Sequence, residues 1–252
     1  MSISNLIRQL WLLLILLSCV PLWAQLTLPN QQQVSGNALS ANNGVNNALV
    51  SPSSEVNLPP GSCASAELHY QNLAENILYR QRMDNFENLV RLENQNGTPR
   101  SNGAVYQIPI VVHLIESGDA RTNVSDLEIQ TAIAGLNEVM RKTPGIAFNN
   151  TGVDMEVEFA LAVRDPHGNC TNGITRHNLS GSSAYVNMGV NFNGTTTGLD
   201  LNAMYNMARW NPTQYYNIYL VNYIGGPTGT TAGFALLAGA HGANSDGTVM
   251  LA

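Results

Sequence analysis

The fold is decided by the stretch from Tyr106 to Val163, which opens with YQIPIVVHLI at residues 106–115. These ten residues form an almost unbroken apolar run, the pattern of a strand that is covered on both faces. A capping box follows at residues 125–128 and is placed to start a helix. Apolar residues then recur at alternating steps of four and three: Ile129, Ile133, Leu136 and Met140. The pattern predicts a core strand followed by a packed helix.

A second strand is predicted after this helix. The helix stops at residues 143–145, because Pro144 cannot continue it. Apolar side chains then alternate with polar or small ones, which predicts a half-buried strand: Met155, Val157, Phe159, Leu161 and Val163. A strand joined through a packed helix to another strand implies a right-handed crossover. We therefore predict an α/β fold in which helices back the sheet.

Residues 1–24 have the pattern of a signal peptide. Arg8 precedes an apolar run at residues 10–17 that is too short to span a bilayer, and Ala24 fits the cleavage position. We therefore expect an exported protein, secreted or periplasmic, with no transmembrane segment in the mature chain. The alternative is a lipoprotein site at the end of the apolar run, in which case Cys19 would carry a lipid anchor.

Two further segments precede the core strand. Residues 25–62 are rich in Asn, Gln, Ser and Pro and have few large apolar side chains, so we predict a disordered linker or pro-segment. Residues 63–103 carry a helical pattern over 66–92. We expect a helical pro-segment there, with a surface helix that is bent or broken in two. Gly97 and Pro99 place a boundary ahead of the core strand.

The chain after Val163 is predicted to consist of short elements joined by Gly- and Asn-rich loops. Asp200 is placed to cap a helix that ends before Pro212. The other predicted elements are short strands at 173–179, 215–223, 233–237 and 248–252, and a long surface loop at 180–198.

The composition excludes one class of partner. Only 11% of the 252 residues are charged and the formal net charge is −6, so the chain has no basic surface for a phosphate backbone. Nucleic acid is therefore not an expected partner. With 44% hydrophobic residues, the chain can bury a sizeable core.

The residues by themselves contain no catalytic motif. No two of the five histidines stand three or four residues apart, so no helix face presents a paired metal site: His69, His113, His167, His177 and His241. His113 lies in the core strand, where we interpret it as a hydrogen-bonded structural histidine. The sequence also lacks a Gly-x-Ser-x-Gly elbow, a phosphate loop and a Cys-x-x-Cys pair. The residues alone indicate an exported α/β domain and no activity.

A spaced set of motifs resembles the opening of the pappalysin family, and it extends from near Cys63 to the end of the chain. Each motif alone is weak, but the spaced combination is specific. The matching stretches are 106–115, the helix 126–141 with its Leu136-Asn137 pair, 159–162 before the turn at 165–168, 173–176, 210–212, 216–221, 232–235 and 246–247.

This resemblance implies a zinc metalloendopeptidase of the metzincin clan. In that clan a twisted, mostly parallel sheet with one antiparallel edge strand and backing helices is followed by a helix that carries His-Glu-x-x-His-x-x-Gly-x-x-His. The histidines of this helix bind zinc and its glutamate activates water. The chain stops before that helix, so no catalytic residue and no zinc ligand is carried over. We expect residues 104–252 to be the N-terminal part of the catalytic domain, inactive alone, with calcium binding left open.

Two features of the family carry over residue by residue. One is the edge strand that pairs with an extended peptide substrate, for which an ordinary short strand is the alternative: Ala232, Gly233, Phe234, Ala235 and Leu236. The other is Cys63, which matches a cysteine whose thiolate can occupy the zinc of a latent zymogen. Here Ala64-Ser65 replaces the Gly-Thr that commonly follows it. Alternatively, Cys63 pairs with Cys170, or Cys170 pairs with a residue outside this sequence.

Two functions from different classes remain open at this point. The first is the front part of a secreted metalloendopeptidase that hydrolyses peptide bonds with zinc-activated water. The second is a complete non-catalytic secreted module that binds peptides on the same fold. Residues 249–252 are apolar and run to the chain end without a turn or cap, so we also expect an incomplete polypeptide. One face of the sheet would then be exposed, including parts of 106–115 and 215–223.

Overall fold

The computed structural model describes residues 62–97, 103–143, 152–192, 194, 196–237 and 240–252. The predicted signal peptide, the Cys19 lipid anchor, all but the last residue of the predicted linker and the helix stop at Pro144 lie outside these residues. Among the helices that are described, none is long and apolar enough to cross a membrane.

Short strands and helices alternate along the described chain. In order they are β1 (Ser62–Cys63), α1 (Ser65–Glu75), α2 (Ile77–Asn96), β2 (Tyr106–Glu116), a 3₁₀ turn (Ala120–Thr122), α3 (Asp126–Met140), β3 (Val157–Leu161), β4 (Ile174–Asn178), α4 (Ser183–Met188), β5 (Val190–Asn191), β6 (Leu199–Asp200), α5 (Leu201–Ala208), β7 (Tyr216–Val221), β8 (Thr231–Ala235) and β9 (Thr248–Leu251).

β2 is the centre of the main sheet. One side of β2 pairs in parallel with β7, and the other side is shared by two shorter parallel strands, β3 along its first half and β4 along its second. β9 joins β7 in parallel, β8 pairs with β9 in antiparallel fashion, and β1 lies outside β8. The sheet is therefore mostly parallel with an antiparallel strand near one edge, and the predicted fold class is confirmed.

The predicted strand–helix–strand unit is confirmed around α3. Ser125 and Glu128 form the expected capping box, in which the Glu128 carboxylate accepts a hydrogen bond from the N–H of Ser125 at 2.9 Å. The apolar face of α3 packs on one face of the sheet, in a cluster that contains Ile110, Val112, Leu114, Ile129, Ile174, Ile218, Leu220 and Met250. β3 is shorter than predicted, and the flanking Met155 and Val163 are exposed.

The opposite face of the sheet is covered by α4, α5 and the short strands between them. This second cluster contains Ile115, Tyr185, Val190, Phe192, Met204, Tyr205, Tyr219, Val221, Phe234 and Val249. The prediction of one long loop at 180–198 is wrong, because α4 and β5 lie within it. Ser182 starts α4 by accepting a hydrogen bond from the N–H of Tyr185, whose side chain is fully buried.

The expectation of an exposed sheet face is also wrong for the described residues. Residues 110–115 and 217–222 are buried, and exposure on β2 is confined to its first half, with Tyr106 61% exposed. The cover comes from α4 and α5, which each bring large apolar side chains against the sheet. Each such side chain contributes roughly 1.5–3 kcal/mol when it is buried.

The leading helical pattern forms two helices, as predicted. α1 ends and α2 begins at Asn76, whose side chain accepts a hydrogen bond from the N–H of Tyr79 at 3.1 Å. α2 buries Tyr79 and Met83 in its first half, whereas its residues from Asp84 onward are exposed. Only the beginning of α2 therefore contacts the rest of the chain closely.

Candidate peptide-binding site

β8 is the strand that the sequence associates with peptide binding. It ends at Ala235, so the predicted Leu236 lies just beyond it. Phe234 anchors the strand, since it is 3% exposed and its ring centroid lies 4.8 Å from that of Phe192. A Cβ at Gly233 would lie 3.0 Å from the carbonyl oxygen of Val249, so glycine permits the close approach of β9. β9 thus occupies one side of β8.

The other side of β8 is occupied by β1. The two strands are parallel, with Cys63 opposite Gly233, and the N–H of Ala64 donates to the carbonyl oxygen of Gly233 at 3.0 Å. One residue further on, the Ser65 hydroxyl oxygen accepts a hydrogen bond from the N–H of Ala235 at 2.8 Å. In the described residues β8 is therefore the second strand from the edge. The pairing of β8 with an extended peptide stays a prediction.

The helices that follow β1 also cover the segment after β8. Tyr79 and Met83 of α2 are buried together with Ala240, and Leu236 and Leu237 pack against them. Nδ1 of His69 lies 2.9 Å from the Tyr79 hydroxyl. Burial raises the pKa of Tyr79 and lowers the pKa of His69, so both groups stay neutral near pH 7. The leading segment therefore holds β8 and its continuation through backbone, side-chain and apolar contacts.

The two described cysteines do not pair with each other. Cys63 is disulfide-bonded and its Sγ lies 3.2 Å from Ser65 Oγ, whereas Cys170 is free and exposed. The Cys63–Cys170 alternative is therefore wrong. The thiolate function of Cys63 stays a prediction, because it concerns the reduced residue beside a zinc ion.

The described residues do not fit a zinc ion. They contain no group of three or more His, Cys, Asp or Glu side chains that could hold a metal. Two histidines do lie close together, with the ring centroids of His113 and His177 5.8 Å apart. Both ring nitrogens of His113 are however engaged by Thr175 and Asn217, and neither is open to a metal. No step of zinc chemistry can be derived from this part of the chain.

His113 is the hydrogen-bonded core histidine that the sequence predicted. It is fully buried, its Nδ1 lies 2.7 Å from Thr175 Oγ1 and its Nε2 lies 2.9 Å from Asn217 Oδ1. Its ring stacks on Tyr219 with centroids 5.0 Å apart. Burial, together with nearby His177, lowers the pKa of His113 to about 4, although the Asn217 hydrogen bond acts in the opposite direction. His113 is therefore neutral at pH 7.

A pocket of about 420 Å³ opens beyond the carboxyl ends of β2 and β4. Two of its polar side chains, Asp119 and Thr122, already have partners within the same loop. The Asp119 carboxylate accepts hydrogen bonds from the N–H and the guanidinium of Arg121, and Thr122 Oγ1 lies 3.0 Å from Ser117 Oγ. We therefore find no ligand chemistry that this pocket specifies.

The described α/β fold is similar to that of metalloproteases of the metzincin type. A promirolysin mutant from Tannerella forsythia is 28% identical, with a TM-score of 0.52, over 77% of this chain and 59% of that chain. Mirolysin in complex with a compound is 29% identical, with a TM-score of 0.46, over 59% of this chain and 53% of that one.

Mature mirolysin from Tannerella forsythia, in complex with a cleaved peptide, is 30% identical with a TM-score of 0.43, and the match covers 59% of this chain and 53% of that chain. The present chain thus spans less than two thirds of each of these proteins. No protein-family profile matches it. No curated protein matches it either.

Sequence reasoning missed the contacts that hold the site together. Ser65 and Ala235 are 170 residues apart in the sequence, and His113 is 104 residues from Asn217. No local pattern connects residues at such separations. The one local signal was Ser65, two residues after Cys63, which retains a hydroxyl where the Gly-Thr that commonly follows this cysteine in the resembled family also has one.

Proposed function

We propose that this chain is the front part of a secreted zinc-dependent metalloendopeptidase. Residues 63–103 would be its pro-segment, and residues 104–252 the first part of its catalytic domain. The similarity to a promirolysin mutant supports the proposal, because a match over 77% of the chain must extend well before residue 104. The observation that carries it is the pairing of β1 with the outer side of β8.

β8 would bind the substrate as an added strand. An extended peptide bonded to its outer side would use the same backbone groups of β8 that Ala64 and Ser65 now bind, namely the carbonyl of Gly233 and the N–H of Ala235. β1 and a peptide therefore cannot occupy β8 together. A segment that fills this side, and that is anchored by Tyr79 and Met83, would keep the domain latent until it leaves.

The zinc ligands of such an enzyme would lie outside the described residues. Zinc would supply the activated water in the intact enzyme, and the reduced Cys63 would be its ligand in the latent form. Because the described residues contain no metal-binding group, we expect no peptide hydrolysis by this polypeptide alone.

The proposal is tested by separating the leading segment from β8. A specific protease site is placed within residues 98–102 of the full chain, and an extended peptide that carries a fluorophore is added before and after cleavage. We expect the anisotropy of the peptide to rise only after cleavage, and the rise to be reversed by an excess of a peptide that copies residues 60–67. Equal binding before cleavage would contradict the proposal.

The second candidate is a complete non-catalytic module that binds peptides on the same strand. It is favoured by the cover on both faces of the sheet in the described residues. The reading frame after Ala252 separates the candidates. The zinc-binding helix motif encoded there would support the enzyme, and an immediate stop codon with a folded product would support the module.

A further inference from the structure

A chain of hydrogen bonds crosses three strands on one face of the sheet. It joins His177 and Thr175 of β4, His113 of β2 and Asn217 of β7. The Thr175 Oγ1 lies 3.0 Å from Nε2 of His177, and Asn217 also binds the backbone of Trp210. This series of hydrogen bonds therefore connects β4 to the turn between α5 and β7.

The direction of every hydrogen bond in this chain is fixed by Asn217. Its Nδ2 group donates to the carbonyl oxygens of Trp210 and Tyr215, so its Oδ1 is the atom that faces His113. Oδ1 only accepts, and it already accepts from the N–H of Trp210 at 2.9 Å. Nε2 of His113 must therefore carry a hydrogen and donate it to Asn217.

The remaining directions follow from this tautomer. Neutral His113 has a lone pair on Nδ1, so the Thr175 hydroxyl donates to it. The Thr175 oxygen is then left to accept, and Nε2 of His177 donates to it. The hydrogen bonds run in one direction, from His177 through Thr175 to His113 and on to Asn217.

Protonation affects the hydrogen bonds of the two histidines differently. A proton on Nδ1 of His177 leaves its Nε2–H in place, so the chain of hydrogen bonds is unchanged. On His113 the only open position is Nδ1, which already accepts from Thr175. If both histidines were protonated, the Thr175 oxygen would face two N–H donors and its own hydrogen would lose its acceptor.

We propose that His177, Thr175, His113 and Asn217 form an acid-sensitive latch that holds β4 and the Trp210 turn to β2, and that opens when both histidines are protonated. Burial lowers the pKa of His177 as well, but His177 is only half-buried and nearby Glu116 acts in the opposite direction, so His177 is protonated before the fully buried His113. The low pKa of His113 places the second protonation at more acidic pH. β4 then loosens first, since in the described sheet it pairs with β2 alone. This inference is independent of the proposed peptidase function.

The surroundings of His113 offer no counter-charge. The titratable groups that face it are His177 from β4 and Tyr219 from β7, and Trp210 packs on its edge. Tyr205 of α5 packs edge-on against Tyr219. Burial raises the pKa of Tyr219, as do Tyr205 and Asp246, whereas Arg209 lowers it. A proton on His113 is therefore not neutralised by a carboxylate in the described structure, and opening is the route that lets water solvate it.

Nitrogen NMR of the histidine rings in the full chain is the first test. We expect His113 to be neutral with the hydrogen on Nε2 at pH 7.5, and His177 to be protonated at a higher pH than His113. Finding the hydrogen on Nδ1 of His113, or protonation of His113 before His177, would overturn the proposal. Neither measurement depends on a variant that must fold.

Hydrogen exchange of the amides in 174–178 is the second test, corrected for intrinsic rates. We expect their protection to fall at least tenfold between pH 6.5 and 4, while the amides of β3 change less. Thr175→Val should lower protection about tenfold at pH 7.5 and remove most of its pH dependence, whereas Thr175→Ser should restore both. His177→Gln should move the loss of amide protection in acid to lower pH. His167→Gln, in an exposed turn, should leave the pH of that loss unchanged.

A competing source of acid sensitivity on β4 is Arg176. Its guanidinium pairs with the carboxylates of Asp126 and Glu116, at 2.6 and 3.2 Å, on a different side of the strand. The Arg176→Met variant removes these ion pairs. Persistence of the pH-dependent exchange in Arg176→Met supports the latch. Its disappearance in that variant would show that the ion pairs cause the effect, and would overturn the proposal.

Discussion

The side chain of Asn137 on α3 forms both hydrogen bonds that a neighbouring strand would form with Phe159. Its Oδ1 accepts from the N–H of Phe159 at 2.8 Å, and its Nδ2 donates to the carbonyl oxygen of the same residue at 2.8 Å. Because β3 pairs only with β2 in the described sheet, one side of β3 has no strand partner. Asn137 therefore satisfies the open side of β3 and fixes α3 over the sheet.

Replacing Asn137 with Ala should destabilise the protein by about 1–3 kcal/mol, because two half-buried backbone groups lose their partners. Urea unfolding of the two proteins measures the difference. Asn137→Asp, which keeps the acceptor and loses the donor, should fall between them. Glu138→Gln is the matched control on the exposed side of the same turn, and a loss as large as that of Asn137→Ala would refute this explanation.

Tyr219→Phe should leave stability unchanged or raise it by up to about 1 kcal/mol, because the buried Tyr219 hydroxyl has no hydrogen-bond partner among the described residues. Tyr185→Phe is the contrasting variant. The Tyr185 hydroxyl donates to the carbonyl of Ile115 at 2.6 Å and accepts from the N–H of Asn222 at 3.2 Å, so its removal should cost about 1–3 kcal/mol. Thermal unfolding of Tyr219→Phe and Tyr185→Phe measures both effects. Equal losses of stability in the two variants would contradict the difference in hydrogen bonding between the two hydroxyls.

Ser65→Ala should raise the exchange rate of the Ala235 amide, because that N–H loses its acceptor. We expect an increase of about tenfold, equivalent to about 1.4 kcal/mol of local stability. Ser65→Thr retains the hydroxyl and should restore protection. An unchanged exchange rate in Ser65→Ala would mean that the hydroxyl does not hold the leading segment on β8.

Gly189→Ala should prevent stable folding or cost more than about 3 kcal/mol. Gly189 has a φ of +65°, and a Cβ there would lie 2.1 Å from the carbonyl oxygen of Tyr223, a backbone atom that cannot move alone. Gly168→Ala is the control, since its φ is +85° but nothing lies within 4 Å of the added Cβ. Gly168→Ala should lower the free energy of unfolding by only about 1 kcal/mol, because the alanine must adopt a left-handed backbone conformation. Comparable losses in circular dichroism melting would contradict the steric argument.

The stability of the protein should fall as the pH is lowered from about 6.5 to about 4. The pKa of His113 is lowered from 6.5 to about 4 in the folded chain, so between these values the unfolded chain binds a proton that the folded chain does not. The contribution of His113 is complete above pH 6.5 and its full loss amounts to about 3 kcal/mol. Urea unfolding at pH 7.5, 5.5 and 4.5 measures it. His113→Gln, if folded, should have a weaker pH dependence, and an unchanged one would contradict this account.

The sequence by itself determined the elements whose information is local. The apolar run of β2, the capping box of α3 and the break between α1 and α2 were predictable, because side-chain periodicity and capping residues act within one or two turns. The mostly parallel sheet followed from the family resemblance. In contrast, α4 was missed because its six residues are too few to produce a periodic pattern among glycines and asparagines.

The contacts of the candidate site were determined only by the tertiary structure. The sequence placed the candidate peptide-binding strand within one residue, but it could not show that β1 lies beside it. The polar partners of Ser65, His113 and Asn137 are backbone or side-chain atoms of residues between 22 and 170 positions away. Hydrogen bonds of this kind depend on distances of about 3 Å between groups that meet only when the sheet and its covering helices are packed. Residue type alone therefore identified which groups needed partners, and the packed fold determined which partners they found.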